Sequence, residues 1–176
     1  MKFQVPFTAT LLIAISLSGC ATGQTEMKTV DHVNLERFMG SWYVIANIPT
    51  FLEKDAYNAV ESYELNADGT IATTFTFRKG GFDGKEKTYR PKGFIRDESS
   101  NAVWGMRFIW PFKADYRIVY LDDAYTKTVI GRNKRDYVWI MARQPTIPPA
   151  EFQELMALVD SLGYDTSKIT TVPQSW

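Results

Sequence analysis

The sequence predicts an all-β domain, an antiparallel sandwich or barrel, with one helix near its carboxyl end. From Gly40 onward, eight short runs rich in β-branched and aromatic residues alternate with groups of turn-forming residues. Their regular spacing and short connections are typical of antiparallel strands linked by hairpins. The chain has 176 residues, 45% of them hydrophobic, which is enough for a single domain with a sizeable core.

The strands are predicted from these runs, and the turns from the residues between them. The predicted strands cover residues 42–48, 56–65, 70–78, 85–95, 102–109, 115–121, 127–132 and 136–143. Glycine, asparagine and aspartate are frequent in the connections, as in 66–69 and 80–84. Because these residues favour the backbone conformations of tight turns, each connection predicts a hairpin.

The segment 150–162 has the spacing of a helix instead. Its apolar residues recur at intervals of three and four positions. They are Phe152, Leu155, Met156, Val159 and Leu162. Pro148 and Pro149 precede the run and Gly163 follows it, as at the two ends of many helices. We therefore predict an amphipathic helix that packs one face on the sheet, followed by a short final strand at 168–172.

Charge and composition argue against several classes of function. Lysine plus arginine total 20 and aspartate plus glutamate total 20, so there is no basic surplus of the kind that binds DNA or RNA. The single cysteine, Cys20, and the single histidine, His32, cannot form a disulfide or a structural zinc site. His32 has no serine or cysteine companion in a recognisable catalytic motif. We predict neither an enzyme nor a bound cofactor or metal.

The first twenty residues predict an export signal that ends in a lipid anchor. Lys2 precedes an apolar run at 7–17 that is too short to cross a bilayer, which is typical of a signal peptide. Residues 17–20, Leu-Ser-Gly-Cys, resemble the bacterial lipobox, in which cleavage leaves the cysteine as the first residue. The resemblance implies a signal peptide over 1–19 and an N-palmitoyl, S-diacylglycerol cysteine at Cys20. The alternative is an ordinary secreted protein with a free Cys20.

Residues 20–29 are the predicted acylated terminus and tether, since 22–29 are mostly small or polar. Two or three acyl chains hold a protein durably at a membrane. Ala21 follows the cysteine, whereas an aspartate there retains lipoproteins of Gram-negative bacteria in the inner membrane. By that resemblance we predict anchoring in the outer membrane of a Gram-negative bacterium, on its periplasmic face.

Three motifs in the body of the chain resemble those of the lipocalins. Gly40-Ser41-Trp42 follows a short turn at 33–38, the segment 115–120 is similar to the motif before and on the sixth strand, and Arg143 ends the eighth. The run 135–146 resembles the bacterial lipocalins, which are outer-membrane lipoproteins related to apolipoprotein D. The resemblance implies, for a domain of residues 30–176, an eight-stranded antiparallel up-and-down β-barrel with a C-terminal α-helix and a short final strand. It also implies that Gly40, Trp42 and Arg143 are structural, with the arginine stacked on the indole at the barrel floor.

If Trp42 faces inward, as the family motif implies, strand alternation assigns the other inward side chains. They are Ala59, Glu61, Tyr63, Phe75, Phe77, Trp104, Met106, Phe108, Tyr116, Ile118, Tyr120, Tyr137, Trp139 and Met141. This apolar and aromatic lining suits an elongated ligand such as a fatty acyl chain. The ligand-binding candidates nearest the open end are Tyr63, Phe77, Trp104, Met106, Tyr116 and Trp139. The alternative is that part of the inward set only fills the closed end.

Two further features leave alternatives open. Glu61 is the one charged residue of the inward set, and there it is expected to bind the cationic head of a zwitterionic lysophospholipid, unless a shift of register turns it outward. The apolar connection at 108–112 predicts either a membrane or partner contact, a homodimer among them, or a loop folded under the barrel.

Together these features predict a membrane-anchored, non-enzymatic protein that stores or transports fatty acids or lysophospholipids in maintenance of the cell envelope. One alternative is a lipid-modifying enzyme that uses the same cavity. Another is a membrane-anchored interaction protein whose barrel is filled.

Overall fold

The structure, a computed structural model, describes residues 26–176. The predicted signal peptide (1–19) and Cys20 lie outside the described residues. The strands are β1 (Gly40–Ile48), β2 (Ala56–Leu65), β3 (Ile71–Lys79), β4 (Glu86–Tyr89), β5 (Lys92–Ile95), β6 (Val103–Ile109), β7 (Phe112–Leu121), β8 (Lys127–Gly131), β9 (Val138–Ala142) and β10 (Thr170–Thr171). The helices are α1 (Leu35–Phe38) and α2 (Pro149–Ser161), with a 3₁₀ turn at Thr166–Lys168.

Strands β1 to β9 form a closed antiparallel barrel. Successive barrel strands pair along the chain, and the ring closes where Tyr43 of β1 lies between Val60 of β2 and Ala142 of β9. Strands β4 and β5 are two parts of the fourth barrel strand, which the sequence predicts as one run at 85–95. The run breaks at Pro91 because proline has no amide hydrogen to donate to a sheet. The predicted eight-stranded barrel, helix and short final strand are confirmed.

The segment after α2 completes the wall where β1 and β2 separate. Past Tyr43 and Val60 these two strands no longer pair, and β10 pairs with β1 instead. The Nε2 amide of Gln174 donates to the carbonyl oxygens of Val44 (2.8 Å) and Ala59 (3.1 Å), and so bridges the two strands. The last residues of the chain are therefore part of the barrel, and residues 26–176 contain every element of a closed fold.

Among residues 26–176, apolar side chains form two cores, one inside the barrel and one between the barrel and α2. The inner core includes Trp42, Tyr63 and Trp104, all fully buried. The outer core includes Leu155 and Val159 of α2. Burial of each large apolar side chain contributes about 1.5–3 kcal/mol to stability. The predicted amphipathic helix thus packs its apolar face against the barrel wall.

Tyr120, which the sequence predicts to face inward, packs against the outer core beneath α2. The register of β7 against β8 shifts between Ile118 and Tyr120, which is a β-bulge at Val119. A bulge adds one residue to a strand and so interrupts the alternation of its faces. Ile118 and Leu121 belong to the inner core, whereas Val119 and Tyr120 both pack against the outer core. The inward assignment of Tyr120 is therefore wrong.

Arg143 and Trp42 close one end of the barrel. The guanidinium carbon Cζ of Arg143 lies 3.8 Å from the centre of the Trp42 ring system. Its two terminal nitrogens donate to four carbonyl oxygens in and after α1, at 2.8–2.9 Å. These belong to Arg37, Phe38, Met39 and Ser41. Gly40 turns the chain here in the left-handed region, with a φ of +91°. These bonds hold α1 across the end of the barrel.

Candidate ligand cavity

A cavity of about 270 Å³ lies inside the barrel at the end opposite α1. Its walls are mainly apolar and aromatic, and they come from the strands and from the loop between β1 and β2. The lining residues are Thr50, Phe51, Leu52, Glu53, Glu61, Phe75, Tyr89, Met106, Phe108, Ile109, Ala114, Asp115, Tyr116, Arg132, Tyr137 and Trp139. Small-molecule sites span about 300–1,000 Å³. A cavity just below that range suits a slender ligand, such as a single hydrocarbon chain.

Four of the predicted ligand-binding residues line this cavity, namely Glu61, Met106, Tyr116 and Trp139. Glu61 pairs with Trp42 on one side and with Phe75 on the other. Its strand keeps the register that the alternation predicts, so its side chain faces the cavity. The alternative of an outward-facing Glu61 is not what the structure shows.

Tyr63, Phe77 and Trp104, which the sequence also predicts as ligand-binding residues, do not line the cavity. Tyr63 and Trp104 pack with Phe38 of α1 in the closed end, at ring-centre distances of 5.5 Å. Phe77 is buried behind Phe75, whose ring centre lies 5.3 Å away. Strand alternation sets whether a side chain faces into the barrel, but it does not set how far along the barrel axis the side chain lies from the open end. These three inward residues therefore belong to the core.

The loop between β1 and β2 contributes lining residues that strand alternation could not assign. Glu53 fastens this loop to the barrel: its Oε1 accepts a hydrogen bond from Trp139 Nε1 at 2.7 Å, and its Oε2 accepts one from the Thr50 amide at 2.9 Å. Phe51 and Leu52 then border the cavity. The feature of the sequence that could have indicated these lining residues is the apolar pair Phe51-Leu52 within a predicted connection.

Glu61 is the ionisable side chain at the inner end of the cavity. Burial raises its pKa to about 8; a hydrogen bond from the Tyr63 hydroxyl opposes this shift, and the nearby charge of Glu53 adds to it. The Tyr63 hydroxyl in turn lies 2.6 Å from the hydroxyl of Tyr116. The Glu61 carboxyl is therefore mostly protonated at neutral pH, and it ends a short chain of phenols.

This shift predicts a pH-dependent stability. Below pH 4.5 Glu61 is protonated in both the folded and the unfolded state, and as the pH rises to about 8 only the unfolded state releases the proton. Folding stability should thus fall over this interval. We expect Glu61→Gln to gain up to about 4 kcal/mol over the wild type between pH 4.5 and 8.5. Urea unfolding at several pH values measures this difference. Glu64→Gln, at an exposed position of the same strand, is the control, and a pH-independent difference for Glu61→Gln would contradict the prediction.

The hairpin between β6 and β7 projects large apolar side chains from the cavity rim. Ile109, Trp110 and Phe112 are 73%, 78% and 75% exposed, and Phe51 of the β1–β2 loop is 85% exposed. Phe108 and Ile109 also line the cavity. We call residues 108–112 together with Phe51 the apolar rim. The connection is thus an exposed part of the rim, and not a loop folded under the barrel.

A closed eight-stranded barrel with one plugged end and an apolar cavity at the other defines a class of small proteins that can enclose one ligand. The chain belongs to the lipocalin family, because the family model for the lipocalin-like domain matches residues 33–174. Lipocalins are typically binding proteins for small hydrophobic molecules. The family predicted from the three sequence motifs is confirmed.

Relatives occur in plants, bacteria and animals. The chain is 34% identical to temperature-induced lipocalin-1 of Arabidopsis thaliana over 166 residues, which cover 88% of this chain and 86% of the relative. It is 27% identical to the outer membrane lipoprotein Blc of Escherichia coli K12 over 175 residues, or 97% of each chain. Mouse apolipoprotein D (Mus musculus) is 26% identical over 154 residues, 82% of this chain and 79% of the relative. The similarity to bacterial lipoproteins thus spans nearly the whole sequence.

Solved structures share the fold at low sequence identity. Insecticyanin from the tobacco hornworm Manduca sexta matches with a TM-score of 0.67 and 14% identity, over 86% of each chain. The cockroach allergen Per a 4 matches with a TM-score of 0.64 and 16% identity, over 85% of this chain and 94% of the allergen. Within residues 26–176, no helix is long and apolar enough to span a membrane. In the same range no three His, Cys, Asp or Glu residues are placed to hold a metal ion.

Proposed function

We propose that this protein is a non-enzymatic carrier that stores or transports fatty acids or lysophospholipids at a bacterial outer membrane. The observation that carries the proposal is the cavity of about 270 Å³, apolar along its walls and bordered at its rim by exposed aromatic side chains. Such a cavity excludes water from a hydrocarbon chain, and each buried methylene contributes about 0.8 kcal/mol to binding. It favours a carrier over an interaction protein with a filled barrel.

A carrier is also favoured over a lipid-modifying enzyme. Catalysis on a lipid needs a nucleophile with a base, a pair of carboxylates free to act, or a metal. Glu53 lies near Glu61, but both of its carboxylate oxygens accept hydrogen bonds that hold the β1–β2 loop. His32 lies away from the cavity and contacts the carbonyl oxygen of Ser99. The lining residues supply binding surface and one protonated carboxyl.

Native mass spectrometry tests the carrier function. The protein to use is residues 20–176 with Cys20→Ser, since every element of the fold lies within 26–176 and no acyl anchor is then attached. We expect one fatty acid or lysophospholipid to bind per chain, either carried through purification or added afterwards. Failure to retain any single-chain lipid, with the fold intact by circular dichroism, would contradict the proposal. Turnover of added phospholipid would favour the enzyme instead.

Anchoring at Cys20 is supported by Glu26 and Met27, in the last part of the predicted tether, which contact the barrel near its open end. The carboxylate of Glu26 lies 2.9 Å from Arg117 Nη1, and the Met27 amide donates to the side chain of Asn133 at 2.8 Å. Asn133 follows Arg132, which lines the cavity. The six Cα–Cα steps from Cys20 to Glu26 span at most about 22 Å when extended. An acylated Cys20 would therefore hold the open end of the barrel close to the membrane. The periplasmic face is the part of the proposal that rests on the resemblance to bacterial lipoproteins.

Loss of the anchor should move the protein from the membrane to the soluble fraction. We expect Cys20→Ser in the full chain, expressed in a Gram-negative host, to abolish incorporation of labelled palmitate and recovery with outer membranes. The physical reason is that two or three acyl chains bind a bilayer durably, whereas the apolar rim alone binds it reversibly. Label that persists in Cys20→Ser would contradict acylation at Cys20, and unchanged recovery with outer membranes would contradict the role of the acyl chains in holding the protein there.

The apolar rim is suited to rest on the same membrane. Tryptophan and phenylalanine favour the interface between lipid head groups and acyl chains. Arg107 and Lys113 adjoin residues 108–112 in the sequence, and their cationic groups lie 4.7 Å and 3.7 Å from the centre of the Phe94 ring. Cations next to the rim would attract anionic head groups. Contact through the rim would place the cavity mouth against the source of its lipid. The alternative of a homodimer through the rim is an outcome of the next test.

Removing two large aromatic side chains from the rim should weaken membrane binding. We expect Trp110→Ser with Phe112→Ser, in residues 20–176 carrying Cys20→Ser, to lower partitioning into anionic phospholipid vesicles about tenfold or more. Trp176→Ser is the control, since Trp176 is 70% exposed but packs on Tyr43 of the barrel wall. Unchanged cosedimentation with vesicles would contradict the prediction. Loss of a dimer in solution, without a change in vesicle binding, would assign the rim to self-association.

A further inference from the structure

The Glu61 carboxyl is a polar group in an otherwise apolar part of the cavity. It lies on β2 two positions before Tyr63, where the cavity meets the core of the closed end. The hydroxyl of Tyr63 is the side-chain donor that bonds to it, and the Tyr116 hydroxyl follows at 2.6 Å from Tyr63. A carboxyl has two oxygens, so one phenol leaves part of its hydrogen-bonding capacity for a ligand.

An unsubstituted hydrocarbon chain is a poor partner for this carboxyl. A polar group that loses water without gaining a hydrogen bond destabilises the complex. The groups that face Glu61 are Glu53 from the β1–β2 loop, Tyr63 from its own strand and Tyr116 from β7. None of these is a cation, so a second carboxylate at this depth would be repelled or would have to be protonated.

The acidic end of a fatty acid is better placed at the mouth. Arg132 lines the cavity at the end of β8, and Nη1 of its guanidinium lies 3.3 Å from Asp136. Arginine presents five donors in a fixed plane, so the guanidinium can bind a ligand carboxylate while it keeps that ion pair. A ligand in this orientation directs its chain inward, toward Glu61.

We propose that Glu61 recognises a hydroxyl group on the hydrocarbon chain of the ligand, so that the protein prefers hydroxylated fatty acids over unsubstituted ones. This inference rests on the proposed carrier function and names the ligand class that the inner end of the cavity selects. A hydroxyl is both donor and acceptor, and it can therefore pair with the carboxyl in either protonation state. Its position along the chain sets whether it reaches Glu61, so one positional isomer should bind best.

Competition binding at pH 7 tests the inference. A fluorescent fatty acid is displaced from residues 20–176 carrying Cys20→Ser by stearic acid, by a series of monohydroxystearic acids and by stearylamine. We expect at least one hydroxy acid to bind about tenfold more tightly than stearic acid, a ratio that corresponds to one added hydrogen bond. Glu61→Leu should abolish this ratio, and Glu61→Gln should retain part of it because an amide also donates and accepts.

The outcomes separate this inference from the carrier function. Equal binding of stearic and hydroxystearic acids would overturn the role of Glu61 and leave the carrier intact. The same would follow if the preference survived in Glu61→Leu, or if stearylamine bound more tightly than every acid, since Glu61 would then select a cation. If neither stearic acid nor any hydroxy acid displaced the probe, the carrier function itself would be overturned.

Discussion

Replacing Arg143 with alanine should destabilise the folded protein by about 3 kcal/mol or more. The substitution removes the cation above the Trp42 ring and the guanidinium donors to four backbone carbonyl oxygens. The Phe38 oxygen keeps its hydrogen bond from Trp42 Nε1, whereas those of Arg37, Met39 and Ser41 lose their side-chain donor. Hydrogen bonds from charged donors contribute about 1.5–3 kcal/mol each, and partly buried carbonyls left unpaired add a further penalty. Because those carbonyls hold α1 across the barrel, the closed end should loosen first. Urea unfolding measures the loss.

Two other variants test the reason for this loss. Arg143→Lys keeps the charge, but one ammonium group cannot donate to four carbonyls in the geometry of the guanidinium, so it should recover less than half of the loss. Arg90→Ala, at an exposed position, should change stability by less than about 0.5 kcal/mol. A loss of stability under about 1 kcal/mol for Arg143→Ala would show that water replaces these hydrogen bonds. The position of α1 across the closed end would then not depend on Arg143.

Filling part of the cavity should strongly weaken lipid binding while the barrel stays folded. Ala114 lines the cavity and lies opposite Met106 across the β6–β7 pair. Ala114→Phe would place an aromatic ring in a space of about 270 Å³, and we expect the affinity for a fatty acid to fall about thirtyfold or more, since a filled core resists further packing. Displacement of a fluorescent fatty acid measures the affinity.

The control for this variant is the same change at a site away from the cavity. Ala124 is exposed in the turn between β7 and β8 at the closed end, so Ala124→Phe should bind lipid as the wild type does. Both variants need a folded barrel, which near-ultraviolet circular dichroism can verify. Unchanged affinity in Ala114→Phe would place the lipid outside this cavity.

The strands, the helix and the family could be predicted from local features of the chain. Turn residues separate runs of β-forming residues, and the intervals of three and four positions before Gly163 predict α2. Inward residues were assigned correctly where strand alternation continues without interruption, as for Glu61 and Met106. The assignment of Tyr120 is wrong because of the bulge at Val119. A bulge is defined by the pairing between two strands, here β7 and β8, and it cannot be read from the sequence of one strand.

The candidate site was only partly predictable, because its limits depend on depth within the barrel. Glu61 and Tyr63 lie on the same face of β2, yet Glu61 borders the cavity and Tyr63 packs under α1. The difference arises from Phe38, which fills the space around Tyr63 from a distant part of the chain. In the same way, the β1–β2 loop reaches the cavity only because Glu53 bonds to Trp139, 86 positions away.

The class of fold, the family and the motif that closes the barrel can all be inferred from the chain before it folds, since turns, periodicity and motifs are properties of neighbouring residues. The sequence also predicts the lipid anchor at Cys20, which remains a prediction. The folded barrel was needed to show which inward aromatic residues form core and which border a cavity, and to show that the apolar connection is an exposed rim. It likewise raised the pKa of Glu61 to about 8. Burial and long-range contacts act between residues far apart in the chain, so they exist only once the barrel has closed.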